Sequence, residues 1–66
     1  MNMNMLKSAV YRRGLTMREM ASKAGIPVAT LYRNIKDNNM LLVNVKKIAT
    51  ALDLSREELM AIFFER

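Results

Sequence analysis

The sequence predicts an all-α fold of five short helices, and three observations predict it. Helix starts and stops recur in order: Thr16 stands three residues before Glu19, Gly25 precedes Ile26-Pro27, and Ser55 stands three residues before Glu58. Apolar residues return at helical spacing between those signals. No stretch alternates apolar and polar residues between turns, so no strand is expected.

Residues 1–3 are expected to fray. Asn4 is placed to cap a first helix from about Met5 to Arg13, which Gly14 stops. Leu6, Val10 and Ala9 form its inward stripe, with Lys7, Tyr11, Arg12 and Arg13 elsewhere on its surface. The Arg pair has two readings. It is a solvated helix end near the negative end of the helix dipole, or a phosphate clamp.

The stretch Thr16 to Ile35 organises the chain. Thr16 and Glu19 have capping-box spacing and start a second helix, Met17 to Ala24. Leu15 seals its entry, and Met20, Ala21 and Ala24 point inward. Ala21 is small where two helices cross closely. Gly25 stops the helix because it enters the left-handed conformation without steric cost. Pro27 suits the first turn of a third helix, Val28 to about Lys36. Two short helices joined through one Gly make a helix-turn-helix over about residues 16–36. Leu31 and Ile35 face the core, leaving Val28, Ala29, Tyr32, Arg33 and Lys36 on outward faces. That surface has no acid before Asp37, whereas a merely solvated helix more often carries Glu–Lys pairs.

Lys36 to Asn39 reads as a polar loop, and Asn38 or Asn39 is placed to cap a fourth helix, about Leu41 to Leu52. Its expected buried stripe is Leu42, Val45, Ile48, Ala49 and Leu52, with Asn44, Lys46, Lys47 and Thr50 outward. Asp53 replaces a stopping Gly, and Leu54 plugs the turn. Ser55 and Glu58 start a fifth helix, Arg56 to about Phe63. Leu59 and either Ile62 or Phe63 face the core.

Sixty-six residues suggest one domain whose core yields only about 3–5 kcal/mol net. The chain has no Cys and no His. Ser-His and Cys-His nucleophiles are thereby excluded, and a zinc site built of carboxylates alone would be unusual. Glu19 and Glu58 are claimed by caps, so no catalytic constellation, metal, cofactor or small-molecule ligand is expected. The net charge of +5 is uneven: residues 1–50 hold nine Lys/Arg against two acids, and residues 51–66 hold two Arg against four acids. A basic body suggests a polyanionic partner. MNMNMLKS is no secretory signal, and the longest apolar run, Leu59 to Phe64, is far short of a membrane span. A cytoplasmic location is the expectation.

The ordered set Leu15-Thr16, Glu19-Met20-Ala21, Ala24-Gly25-Ile26, Thr30-Leu31, Ile48-Ala49, Ala51-Leu52, Leu54-Ser55 and Glu58-Leu59 resembles the Cro/repressor family of phage and bacterial transcription regulators. The resemblance spans about Leu6 to Phe63. It implies sequence-specific binding of duplex DNA, with the second helix of the helix-turn-helix in the major groove. Carried over by position, Val28, Ala29, Tyr32 and Arg33 are base-reading candidates. Thr16, Met17 through its backbone N–H, Lys36, Asn38 and Asn39 are DNA-backbone candidates, and Thr30 either contacts phosphate or supports the turn. The chain departs from the family where Met17 replaces a Gln and Pro27 a Ser. It departs again where Asn34 stands at an apolar position, and the loop after the third helix is about one residue shorter. Some members pair an Arg with a Glu where Val10 and Ile35 stand, so an apolar contact is expected in place of that ion pair.

Family members commonly act as dimers on two-fold sites, and Met60, Phe63 and Phe64, with Leu41 beside them, are the candidate homodimer interface. Both Phe side chains cannot face the core of so short a helix. The function this implies is a small phage-like or prophage-like repressor. The alternative is a protein-interaction module or antitoxin-like partner on the same scaffold, since fold does not settle function.

Overall fold

The computed structural model describes residues 1–64; Glu65 and Arg66, which close the acidic end, lie outside the described residues. Five helices follow in order: α1 Met3–Arg12, α2 Met17–Ala24, α3 Val28–Asp37, α4 Leu42–Leu52 and α5 Arg56–Phe63. The described residues contain no strand, and the all-α expectation holds.

Both capping boxes form. Thr16 Oγ1 accepts the Glu19 N–H at 3.1 Å, and Glu19 Oε1 accepts the Thr16 N–H at 2.9 Å. Ser55 and Glu58 repeat the exchange at 3.0 and 3.2 Å. Each box satisfies helix-end donors that would otherwise lack partners.

The first four helices end by one device. Gly14, Gly25, Asn38 and Asp53 all adopt positive φ, between 50° and 73°. The next N–H in each case reaches back five residues: Leu15 to Val10, Ile26 to Ala21, Asn39 to Asn34, and Leu54 to Ala49. This is the Schellman closure, and its usual apolar plug is present as Leu15, Ile26 and Leu54 but replaced by Asn39 after α3.

The core gathers one stripe from each helix: Leu6 and Val10, Met20, Leu31, Ile48 and Leu52, and Ile62, all with at most 2% exposure. α2 packs most extensively on α4, and also meets α1 and α3, while α1 packs on α5. Ala21 is buried on α2, consistent with its role as a spacer for close crossing. No polar or charged residue among those described is fully buried.

Five expectations need correction. α1 begins at Met3, not Met5, and Asn2 rather than Asn4 caps it, accepting the Met5 N–H at 3.1 Å. Residues 1–3 do not fray: the Asn2 N–H donates to the Ile62 carbonyl at 2.6 Å, and Met1 and Met3 pack on the core. Asn38 closes α3 instead of capping α4, whose N-cap is Leu41 with no side-chain bond. Asn tolerates the left-handed conformation that the end of α3 demands. Leu42 is 58% exposed at the first position of α4, flanked by exposed Leu41 and Val43, so the buried stripe of that helix begins at Val45. Asn44 is half-buried, not outward, because its side chain turns to α3.

Candidate nucleic-acid interface

α2, the Gly25 turn and α3 form the helix-turn-helix. Gly25 sits at φ 73°, ψ 30°, and buried Ile26 plugs the turn behind it. Pro27 serves as the N-cap of α3 and makes no side-chain cap bond; its rigid φ starts the helix in place of a hydroxyl. Leu31 is fully buried, and Val28 and Ile35 pack against the core on either side of it. That seam leaves Ala29, Tyr32, Arg33 and Lys36 exposed.

Of the base-reading candidates, Ala29, Tyr32 and Arg33 share this open surface, with Tyr32 49% exposed. Val28 is a correction: it is half-buried against the core, so only its outer edge is accessible. Among the backbone candidates, Thr16 stands exposed at the start of α2, Lys36 on α3, and Asn38 and Asn39 in the turn after it. The Thr16 hydroxyl accepts from Glu19 and keeps its own proton to donate. Asn38 Oδ1 accepts from the Met1 amino group at 3.2 Å. Thr30 is half-buried. The Met17 side chain is 5% exposed and belongs to the core; the expectation for this residue concerns its backbone N–H. Only its backbone amide, which lacks an intrahelical partner at the first turn, can meet an anion.

The Arg12-Arg13 pair fits neither reading fully. Arg13 Nη1 donates to the Ala9 carbonyl at 2.8 Å, and its Nε donates to the Leu52 carbonyl. These carbonyls lie in the last turns of α1 and α4, so one guanidinium serves two negative helix ends. Arg12 and Arg13 also reach Glu58 on α5 at 3.2 and 3.5 Å. Glu58 is held below the ordinary glutamate value, first by the Ser55 backbone N–H and then by Arg13 and Arg12. Val10 and Ile35 contribute to the same apolar core, and the ion pairing of α1 runs to α5 instead.

The structure also joins two residues that sequence reasoning kept apart. Asn44 Nδ2 donates to Asn34 Oδ1 at 3.3 Å, in a part-buried setting between α4 and α3. The signal was present: Asn34 interrupts the apolar stripe of α3, and an amide at such a position needs a partner.

On α5, Met60 and Phe64 are 46% and 52% exposed, and Leu41 is 63% exposed at the start of α4. Phe63 is half-buried against the core, so one Phe faces inward and its neighbour lies on the surface. No helix among the described residues is long and apolar enough to cross a membrane.

Comparison with known proteins agrees with this geometry. The family model for the Cro/C1-type HTH DNA-binding domain matches residues 5–65. No curated protein matches the chain, and no solved structure does. The match covers α1 from Met5 onward, all of α2 to α5 and the whole helix-turn-helix, and the chain belongs to the Cro/C1-type HTH DNA-binding family.

Proposed function

We propose that this chain, as one helix-turn-helix domain over residues 1–66, is a non-catalytic, cytoplasmic repressor that binds a specific duplex operator as a homodimer. The observation that carries it is the exposed surface of α3. Ala29, Tyr32 and Arg33 stand there with no acid until Asp37. A helix so furnished suits the major groove, whose width admits an α-helix. Arg33 bonds guanine O6 and N7 together, Ala29 and the accessible edge of Val28 meet a thymine methyl, and Tyr32 meets a base edge or a phosphate. Thr16, the Met17 amide, Lys36, Asn38 and Asn39 hold the flanking phosphates, with Thr30 beside them. Met60 and Phe64, with the outer edge of Phe63, pair two copies across a two-fold axis. Such a dimer reads half-sites about one helical turn, roughly 34 Å, apart. The reading requires no metal, cofactor or small-molecule ligand.

One observation favours the second reading, a protein-interaction module. Lys23, Lys46 and Lys47 line an open groove together with Ala24, Val43, Thr50 and Ala51. Small apolar side chains beside three cations suit an acidic amphipathic segment.

Selection from a random duplex library across salt concentrations separates the readings. The repressor reading expects enrichment of one two-fold-symmetric site. Enrichment of a single half-site keeps DNA recognition and removes the dimer. Weak, steeply salt-dependent binding without a preferred sequence reports only the basic charge and favours the protein partner.

A further inference from the structure

We infer that the Asn34–Asn44 amide pair is a positioning device that sets the rotation of α3 and so aims its base-reading side chains. The inference rests on the major-groove reading above and adds a specificity role for two residues outside the exposed surface.

α3 is held mainly by apolar contact. Leu31 is buried, Val28 and Ile35 pack on the core, and the N-cap Pro27 adds no side-chain bond. Apolar burial resists lifting the helix away, but it is non-directional. Small rotations about the helix axis leave the buried area nearly unchanged. A hydrogen bond is directional and fails when its angle opens. The bond from Asn44 Nδ2 to Asn34 Oδ1 crosses from α4 to the C-terminal half of α3. It is the one side-chain hydrogen bond joining α3 to another helix among the described residues.

The lever is short and effective. Arg33 precedes Asn34 in the chain, so both turn together. A side chain on an α-helix ends about 6 Å from the axis, and a 10° turn therefore moves it about 1 Å. Productive polar contacts tolerate about 0.5 Å and 10–20°. Bidentate bonding to one guanine is lost first, while contacts to phosphates at the ends of α2 and α3 adapt.

The anchor is also well chosen. α4 is itself fixed by its packing on α2, and its Ile48 and Leu52 are buried in the same core cluster as Met20 and Ala21 of α2. Asn44 thus refers α3 to the same helix that supports α2, and the two halves of the helix-turn-helix share one frame.

The test compares wild type, Asn44→Ala and the double variant Asn34→Leu/Asn44→Leu, in which an apolar pair replaces the amides. Affinity is measured for the library-selected duplex and for its single-base variants, alongside thermal melting of each protein. The expected result is a preference at one base position reduced about five- to tenfold in both variants. The double variant recovers the melting temperature but not the preference. An unchanged preference in the folded double variant overturns the proposal. An equal loss of affinity on every duplex overturns it too and leaves the pair a structural bond. A wild-type protein that selects no duplex at all overturns the major-groove reading, and the positioning role with it.

Discussion

Arg13 meets three groups at once, the carbonyls of Ala9 and Leu52 and the carboxylate of Glu58. Its side chain is 28% exposed, against 65% for Arg12. Hydrogen bonds to charged groups contribute about 1.5–3 kcal/mol, while exposed ion pairs contribute about 0–1 kcal/mol. Arg13→Met, which keeps the stem and removes the donors, should therefore lower unfolding free energy by about 1–3 kcal/mol, and Arg12→Met by less than about 1 kcal/mol. Equal effects in urea titrations would show that the shared carboxylate, not the two carbonyls, matters. Glu58 adds a pH dependence. Its carboxyl is held below the ordinary value of 4.5, so its ionised form favours the fold. That contribution is complete above the ordinary value and disappears as pH falls through the lowered one. Melting temperatures of Glu58→Gln should accordingly fall less steeply below about pH 4.5 than those of wild type; parallel curves would remove Glu58 from acid sensitivity. At the other surface, Arg33→Ala should weaken binding to the selected site by about 1–3 kcal/mol and relax one base position. Uniform weakening on all sequences would make Arg33 a phosphate contact.

At the scale of elements, the same closing turn is made with different residues, which gives an internal comparison. Gly14 and Gly25 take the left-handed conformation at φ 73°, whereas Asn38 and Asp53 are forced into it at φ 50° and 51°. Side-chain strain there costs about 1–2 kcal/mol. Gly25→Ala has no neighbour within 4 Å to clash with, so the cost expected is that conformational strain alone, about 1–2 kcal/mol. Asp53→Gly should stabilise the protein by about 0.5–1 kcal/mol, the relieved strain being partly offset by the freer unfolded chain. Denaturant midpoints moving in the same direction for both variants would refute this account of the turns. The cap boxes and turns were legible in sequence because they are local: Thr16 with Glu19 and Ser55 with Glu58 need only four consecutive residues. The start of α1 is not legible, for the opposite reason. Asn2 and Asn4 are equivalent locally, and the carbonyl of Ile62, sixty residues away, selects Asn2.

For the whole molecule, the core is one small cluster shared by five helices, and every helix leaves an outer surface in solvent. Two of those surfaces differ in kind. α3 offers a ring and cations, while α5 offers Met60 and Phe64. A 66-residue core supplies only about 3–5 kcal/mol, so burying α5 against a second copy would add stability as well as symmetry. Phe64→Glu should then shift the protein toward monomer in sedimentation velocity at matched concentration. An unchanged sedimentation coefficient would remove Phe64 from the interface. Because Phe64 is already half in solvent, the variant monomer should remain folded.

The sequence by itself determined the number of helices, four of their five starting points to within one residue, the stops at Gly14, Gly25 and Asp53, and the outward chemistry of α3. Each depends on neighbours within one or two turns, and local spacing reports such neighbours. It also located most of the core, since Leu6, Val10, Met20, Leu31, Ile48 and Leu52 return at helical period. Only the tertiary structure decided which of equivalent residues went where. The Met17 side chain was drawn inward and Leu42 was left outside. Arg13 turned to the carbonyl ends of two helices, and Asn34 found Asn44. These outcomes depend on which positions the neighbouring helices cover and which polar atom lies across a crossing. Such facts belong to the packing of helices distant in sequence, and periodicity along one helix contains no information about them.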